Sequence, residues 1–97
     1  MYFDITGFEL LDGYKINLTF EDGKSGIADL KNYVEKGGVF SKFADKNYFA
    51  QVILDKELRT LFWPDGVDIA PETLYSLATG EPLPSWVKPE SNEREAA

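Results

Sequence analysis

Histidine and cysteine are both absent from this chain of 97 residues. Their absence excludes zinc sites built on imidazole or thiolate ligands, disulfide bonds, and every catalytic triad that contains histidine or cysteine. Positive charge is also scarce, with ten Lys and Arg against seventeen Asp and Glu and a net charge of −7. Because an acidic chain is poorly suited to the phosphate backbone, direct binding to nucleic acid is not expected.

Long apolar runs are missing as well. No segment of the sequence approaches the roughly 20 apolar residues that span a bilayer, so we expect no association with a membrane. The first residues lack a basic region followed by an apolar stretch, which is the pattern of a signal peptide. We therefore expect a cytoplasmic protein.

Aromatic residues are plentiful, at 14% of the chain. Large rings fill a small interior well, so we expect an aromatic core in one small domain. Residues 1–80 are predicted to form a single α+β domain, and residues 81–97 a Pro-rich acidic tail. The acidic surface either keeps the protein soluble or docks on a basic partner protein.

A first hairpin is predicted around Gly13. Residues 14–20 alternate apolar and polar side chains, which is the period of a strand with one buried face. A three-residue loop with Gly13 at positive φ would pair apolar residues across the hairpin and place Leu10 opposite Tyr14.

A second hairpin is predicted at Asp22-Gly23. A two-residue loop here places Leu18 opposite Ile27 and makes residues 24–29 the third strand. The first part of the chain is therefore predicted to be an antiparallel meander.

Short helices and another hairpin are predicted for the rest of the domain. The predicted elements are a helix from Leu30 ended by Gly37-Gly38, a helical turn at 39–43, strands at 49–54 and 58–63, and a helix from Pro71 to Gly80 that packs through Leu74, Leu77 and Ala78. The expected fold is α+β, with an antiparallel sheet of about five strands and short helices covering one face. The order is three strands, a helix, two strands and a helix.

Three candidate binding residues lie in one short stretch. Trp63 is either a core residue or a half-exposed contact for a partner, since exposed tryptophan is favoured in protein interfaces. Asp65 and Asp68 either ligate a hard cation or serve the turn and the start of the next helix. We predict no metal site, no cofactor and no catalytic residue.

Trp86 is the fourth candidate binding residue and belongs to the tail. It lies in the stretch 83–87, which has the sequence Leu-Pro-Ser-Trp-Val. This stretch either packs back onto the protein's own sheet or docks on another chain.

The order of motifs resembles a known family. The motifs are Phe20-Glu21-Asp22-Gly23, Asp29-Leu30, Gly38-Val39-Phe40, residues 49–54, and Phe62-Trp63-Pro64-Asp65-Gly66-Val67-Asp68 leading into Pro71-Glu72-Thr73-Leu74-Tyr75. Over residues 3–78 the chain resembles the small bacterial proteins of domain of unknown function 2442. It departs from the family at Ala70, where the family often has a serine that caps the last helix.

The resemblance implies an antiparallel α+β fold, and it brings no established activity or catalytic residue. Relatives tend to be encoded beside another small protein, in pairs that resemble toxin–antitoxin modules. Some relatives carry a C-terminal helix-turn-helix, whereas residues 81–97 of this sequence are a Pro-rich acidic tail, so DNA binding is not carried over. We expect a non-catalytic interaction or regulatory module that binds a small partner protein. The oligomeric state is open between a monomer and a homodimer that pairs through an open sheet edge or face. The alternative is a small-ligand or metal-binding domain around residues 63–68.

Overall fold

The computed structural model describes residues 3–82. Its elements are, in order, β1 (Ile5–Leu10), β2 (Lys15–Phe20), β3 (Ser25–Asp29), α1 (Lys31–Lys36), a 3₁₀ segment (Gly38–Ala44), α2 (Lys46–Phe49), β4 (Ile53–Asp55), β5 (Thr60–Trp63), a 3₁₀ turn (Pro64–Gly66), β6 (Val67–Asp68) and α3 (Pro71–Thr79). The mixed α and β composition with antiparallel pairing is therefore confirmed.

The strands form two sheets of three, so the prediction of one five-stranded sheet was wrong. β1, β2 and β3 make the N-terminal sheet, and β4, β5 and β6 make the C-terminal sheet. Ile5 N–H donates a hydrogen bond to Arg59 C=O at 3.0 Å, which joins the start of β1 to the β4–β5 turn. β6 has two residues and escaped prediction because so short a strand has no readable periodicity.

The first hairpin has the predicted faces but a different register. Leu10 pairs with Ile16 rather than with Tyr14, and Leu11 N–H donates to Lys15 C=O at 2.9 Å. The difference is two residues, so Phe8 and Leu10 stay on their expected face. Gly13 has a φ of +69°, as the turn requires.

The second hairpin is displaced by one residue, and the predicted pairing of Leu18 with Ile27 was wrong. Leu18 pairs with Gly26, because the loop contains three residues with Gly23 at a φ of +89°. A displacement of one residue exchanges the two faces of a strand. Ile27 is consequently 52% exposed, while Ala28 is completely buried.

The segment predicted as a strand at 49–54 begins as a helix. Asp45 caps α2 by accepting a hydrogen bond from Asn47 N–H at its Oδ1 atom, at 2.9 Å. The helix buries Tyr48 and Phe49, and strand pairing starts only at Ile53. The Asp45 cap is a short-range signal of a helix, but the apolar residues at 49–54 led to the prediction of a strand.

The core is aromatic, as predicted. The ring of Phe43 is completely buried and lies 4.7 Å from Trp63, 5.1 Å from Phe49 and 5.3 Å from Phe40, measured between centroids. These contacts join the 3₁₀ segment and α2 to the inner face of the C-terminal sheet. Offset and tilted ring pairs of this kind add to the free energy of burial.

Helix α3 covers the inner face of the N-terminal sheet. It begins without a side-chain cap at Ala70 and ends at Gly80, which has a left-handed φ of +80°. Leu74 is completely buried, as predicted, but Leu77 is 41% exposed and Tyr75 is buried in its place. Tyr75 turns inward because its ring packs against Phe3 and Phe20.

Candidate functional site

Trp63 is a core residue and supports the turn that follows it. Its side chain is 3% exposed, and its indole Nε1–H donates to Phe49 C=O at 2.9 Å. The hydrogen bond satisfies the polar atom that tryptophan brings into the core. Trp63 therefore offers no surface to a partner, and its contribution is to hold the end of β5 in place.

The turn after Trp63 is held by a second aromatic side chain. Tyr48 Oη donates to Pro64 C=O at 2.7 Å. Burial, and then the nearby Asp65 carboxylate, raise the pKa of Tyr48 above its ordinary value, so its hydroxyl stays a donor. Asp65 and Gly66 then take φ values of +69° and +75°, which aspartate and glycine tolerate better than most residues.

The carboxylate of Asp65 is engaged by a lysine. Lys42 Nζ lies 2.8 Å from Asp65 Oδ2, and both side chains are more than half exposed. The hydrogen bond to Asp65, together with its charge, raises the pKa of Lys42. An exposed pair of this kind adds little stability, so its main effect is to orient the Asp65 side chain.

Asp68 lies beside the same turn. A depression of about 180 Å³ is lined by Val39, Asp65, Gly66, Val67 and Asp68. The structure thus brings the two predicted carboxylates to one depression, with Val39 at its edge and 51% exposed. Trp63 is buried in the core, and Trp86 lies outside the described residues.

Two further side chains extend this area along the outer face of the C-terminal sheet. Ile53 pairs with Phe62, and Phe62 pairs with Asp68, so the three side chains share a face. Ile53 is 59% exposed. We call this area the β5–β6 surface, and it consists of Val39, Ile53, Phe62, Asp65 and Asp68.

Three of these five residues, Val39, Ile53 and Phe62, were not among the predicted binding residues. Val39 and Ile53 were assigned to core-forming elements because they are apolar. Phe62 lies between Leu61 and Trp63, which are both buried, and neighbouring side chains of a strand point to opposite faces. This alternation could have indicated that Phe62 faces the outer side of β5.

The β5–β6 surface contains two carboxylates, those of Asp65 and Asp68. Within residues 3–82, no group of three or more Asp or Glu side chains is placed to hold a metal ion. The surface combines exposed apolar side chains with two carboxylates in a shallow depression. Such a combination is typical of the core and rim of a protein interface.

Comparison with known proteins gives one family. A model described as "Protein of unknown function (DUF2442)" matches residues 5–80. The chain belongs to this family. No curated protein and no solved structure matches the chain.

Membership in the DUF2442 family confirms the resemblance drawn from the motif order. The family description names no activity, so an assignment of function depends on the geometry of this chain. In the part of the chain that the structure describes, no helix is long and apolar enough to cross a membrane.

Proposed function

We propose that this protein is a non-catalytic interaction module that binds a small partner protein through the β5–β6 surface. Two exposed apolar side chains support the proposal: Val39 lines the same depression as the Asp65 and Asp68 carboxylates, and Ile53 shares a sheet face with Asp68 across Phe62. Exposed apolar groups with a polar border mark contact sites in small proteins.

Charge indicates the chemistry of the partner. The chain has a net charge of −7, and Asp68 forms no ion pair with any residue in the range 3–82. A partner with a basic surface around an apolar side chain would be complementary to it. The family resemblance implies that relatives are encoded beside another small protein, so a small protein encoded beside this one would be the first candidate.

The rigid support below the surface favours binding without rearrangement. Trp63 and Tyr48 each donate a hydrogen bond to a backbone carbonyl and hold the two sides of the turn. A surface that is already in its binding conformation loses little conformational entropy on association.

The experiment is calorimetry with the neighbouring gene product, after mass measurement of the complex isolated from the source cell. Substitutions Ile53→Thr and Asp68→Asn should each weaken binding about fivefold or more, because truncation of a central interface residue costs over 1 kcal/mol. The matched controls are Ile27→Thr and Asp12→Asn, which change exposed residues of the same types on the N-terminal sheet and its turn.

Three results would contradict the proposal. One is the absence of binding to the neighbouring protein together with isolation of the chain alone. Another is an equal loss of affinity in the controls. The third is a rise in melting temperature with Mg²⁺ or Ca²⁺ that Asp68→Asn removes, which would indicate the metal-binding alternative. The mass measurement also distinguishes a monomer from a homodimer.

A further inference from the structure

Strand β1 is an edge of the N-terminal sheet, and part of its backbone is unpaired. Leu11 N–H donates to Lys15 C=O, which sets the alternation of the ladder between β1 and β2. The N–H and C=O groups of Phe8 and Leu10 therefore point away from β2. Within residues 3–82, no hydrogen bond to these outward groups is formed.

The side chains of β1 do not block this edge. Phe8 and Leu10 turn their side chains toward the core cluster and are partly buried against it. An edge with unpaired backbone groups is a template for another strand. Addition of a peptide strand to such an edge is a recurring mode of recognition.

A depression lies at the start of the same edge. It has a volume of about 280 Å³ and is lined by Ile5, Thr6, Leu54, Lys56 and Arg59. Leu54 is half-buried and supplies apolar surface, while Lys56 and Arg59 are exposed cations. Neither cation forms an ion pair with another residue of the described range, although the chain as a whole is acidic.

The two cations are presented by a rigid turn. Asp55 Oδ1 accepts hydrogen bonds from Glu57 N–H at 2.9 Å and from Leu58 N–H at 3.0 Å. Arg59 N–H donates to Asp55 C=O at 2.7 Å, and Arg59 C=O accepts from Ile5 N–H. These bonds fix the backbone of the turn relative to β1.

We infer that the β1 edge binds an extended acidic peptide of another protein as an added antiparallel strand. Antiparallel pairing is somewhat more stable than parallel pairing, and it places the C-terminal end of the peptide beside Ile5. Carboxylates at that end reach Lys56 and Arg59. This site has the opposite charge preference to the β5–β6 surface, so it is independent of the proposed function.

The other edge of the N-terminal sheet belongs to β3 and carries a carboxylate. On β3 the outward backbone groups belong to Ser25, Ile27 and Asp29, by the same alternation. Asp29 places a carboxylate at that edge, which repels an acidic ligand. The edge of β3 is therefore the internal control for the edge of β1.

Peptide polarity provides the first test. The probe is an octapeptide of alternating threonine and valine that ends in two glutamates, compared with the same peptide carrying the glutamates at its N-terminus. Calorimetry on the full chain should show about threefold to tenfold tighter binding of the C-terminal version, as expected for two exposed ion pairs. Equal affinities, or no binding of either peptide, would overturn the inference.

Backbone methylation of the peptide provides the second test. Methyl groups on alternate amides that face β1 should abolish binding, while methylation of the other set should leave it unchanged. Loss of binding in both sets, or in neither, would show that the peptide does not pair as a strand.

Protein variants provide the third test. Lys56→Gln with Arg59→Gly should erase the preference for C-terminal glutamates, and glycine suits the φ of +57° at position 59. Lys31→Gln is the matched control, since Lys31 is an exposed cation on α1. Retention of the preference in the double variant would contradict the role of the cations.

Hydrogen exchange of the backbone amides, measured on the full chain, identifies what pairs with the β1 edge. The peptide should slow exchange at Phe8 and Leu10 but not at Ile27. Protection at Phe8 and Leu10 without peptide would overturn the inference. If that protection rose with protein concentration, a second copy would be the occupant, and if it did not, the occupant would be residues 83–97.

Discussion

The two sheets each bury one face, but they do so by opposite means. The inner face of the N-terminal sheet has Gly26 beside α3, where a Cβ atom at position 26 would overlap Ala78 C=O. The inner face of the C-terminal sheet instead carries Leu61 and Trp63, and Trp63 lies under the rings of Phe43 and Phe49. The N-terminal sheet therefore needs a position without a side chain where α3 approaches, and the C-terminal sheet needs large side chains that fill the space beneath it.

The largest predicted effect comes from removing volume under the C-terminal sheet. Trp63→Ala should lower the free energy of unfolding by about 3–5 kcal/mol, because it leaves a cavity among the rings. Denaturant unfolding measures this. Trp63→Phe should cost less, since it keeps a ring and loses the hydrogen bond to Phe49 C=O. Equal losses in the two variants would show that packing volume is not what matters here.

The opposite change should damage the N-terminal sheet. Gly26→Ala adds one methyl group against the backbone of α3 and should destabilise the protein by about 1–3 kcal/mol. Gly7→Ala is the control, because a Cβ atom at Gly7 has no neighbour within 4 Å. If both alanine variants unfold at the same denaturant concentration, the close approach of α3 does not limit this sheet.

A third prediction concerns the loss of stability at low pH. Tyr75 Oη donates to Asp22 Oδ2 at 2.6 Å, and this bond, followed by the Lys24 N–H bond, lowers the pKa of Asp22 below 3.8. A folded-state pKa below the unfolded value stabilises the protein above the unfolded value, and that contribution is lost as the pH falls. Asp22→Asn should therefore flatten the loss of stability below about pH 4.

Two comparisons check this assignment by equilibrium unfolding at several pH values. Tyr75→Phe removes the same hydrogen bond and should also reduce the loss of stability as the pH falls. Asp12→Asn changes an exposed turn carboxylate and should lose stability with falling pH as the parent protein does. If Asp22→Asn loses as much stability at low pH as the parent protein, the prediction is contradicted.

The smallest predicted effects on stability are at the outer faces. Ile27 and Ile53 are 52% and 59% exposed, so Ile27→Thr and Ile53→Thr should each change the free energy of unfolding by less than about 0.5 kcal/mol. Thermal melts measure this. Only Ile53→Thr should also weaken binding of the proposed partner. A large loss of stability in Ile53→Thr would assign that side chain to the fold rather than to the β5–β6 surface.

Much of the local structure could be read from short-range patterns. The alternation on β2, the glycines at positions 13 and 23, and the Pro71 start and Gly80 end of α3 all appear in the structure. Register could not be read in this way, because loops of two and three residues both suit Asp22-Gly23. The observed three-residue loop puts Gly26 on the inner face, and because glycine has no Cβ atom, α3 can lie close to β3 there.

The candidate site was predicted in part. Asp65 and Asp68 were identified from their positions in the turn, and the structure places them at one depression. Val39 and Ile53 were missed because an apolar side chain in a short element gives no indication of which way it faces. The outward orientation of Ile53 follows from its pairing with Phe62.

Composition and local pattern already imply a small acidic protein with an aromatic core and turns at its glycines. Those properties depend on residue type and on neighbours within a few positions, so they need no knowledge of the fold. The division into two sheets, the burial of Trp63 and the exposure of Ile53 depend on which distant element packs against each strand. Packing of this kind joins residues far apart in the chain, such as Gly26 with Ala78 and Trp63 with Phe43.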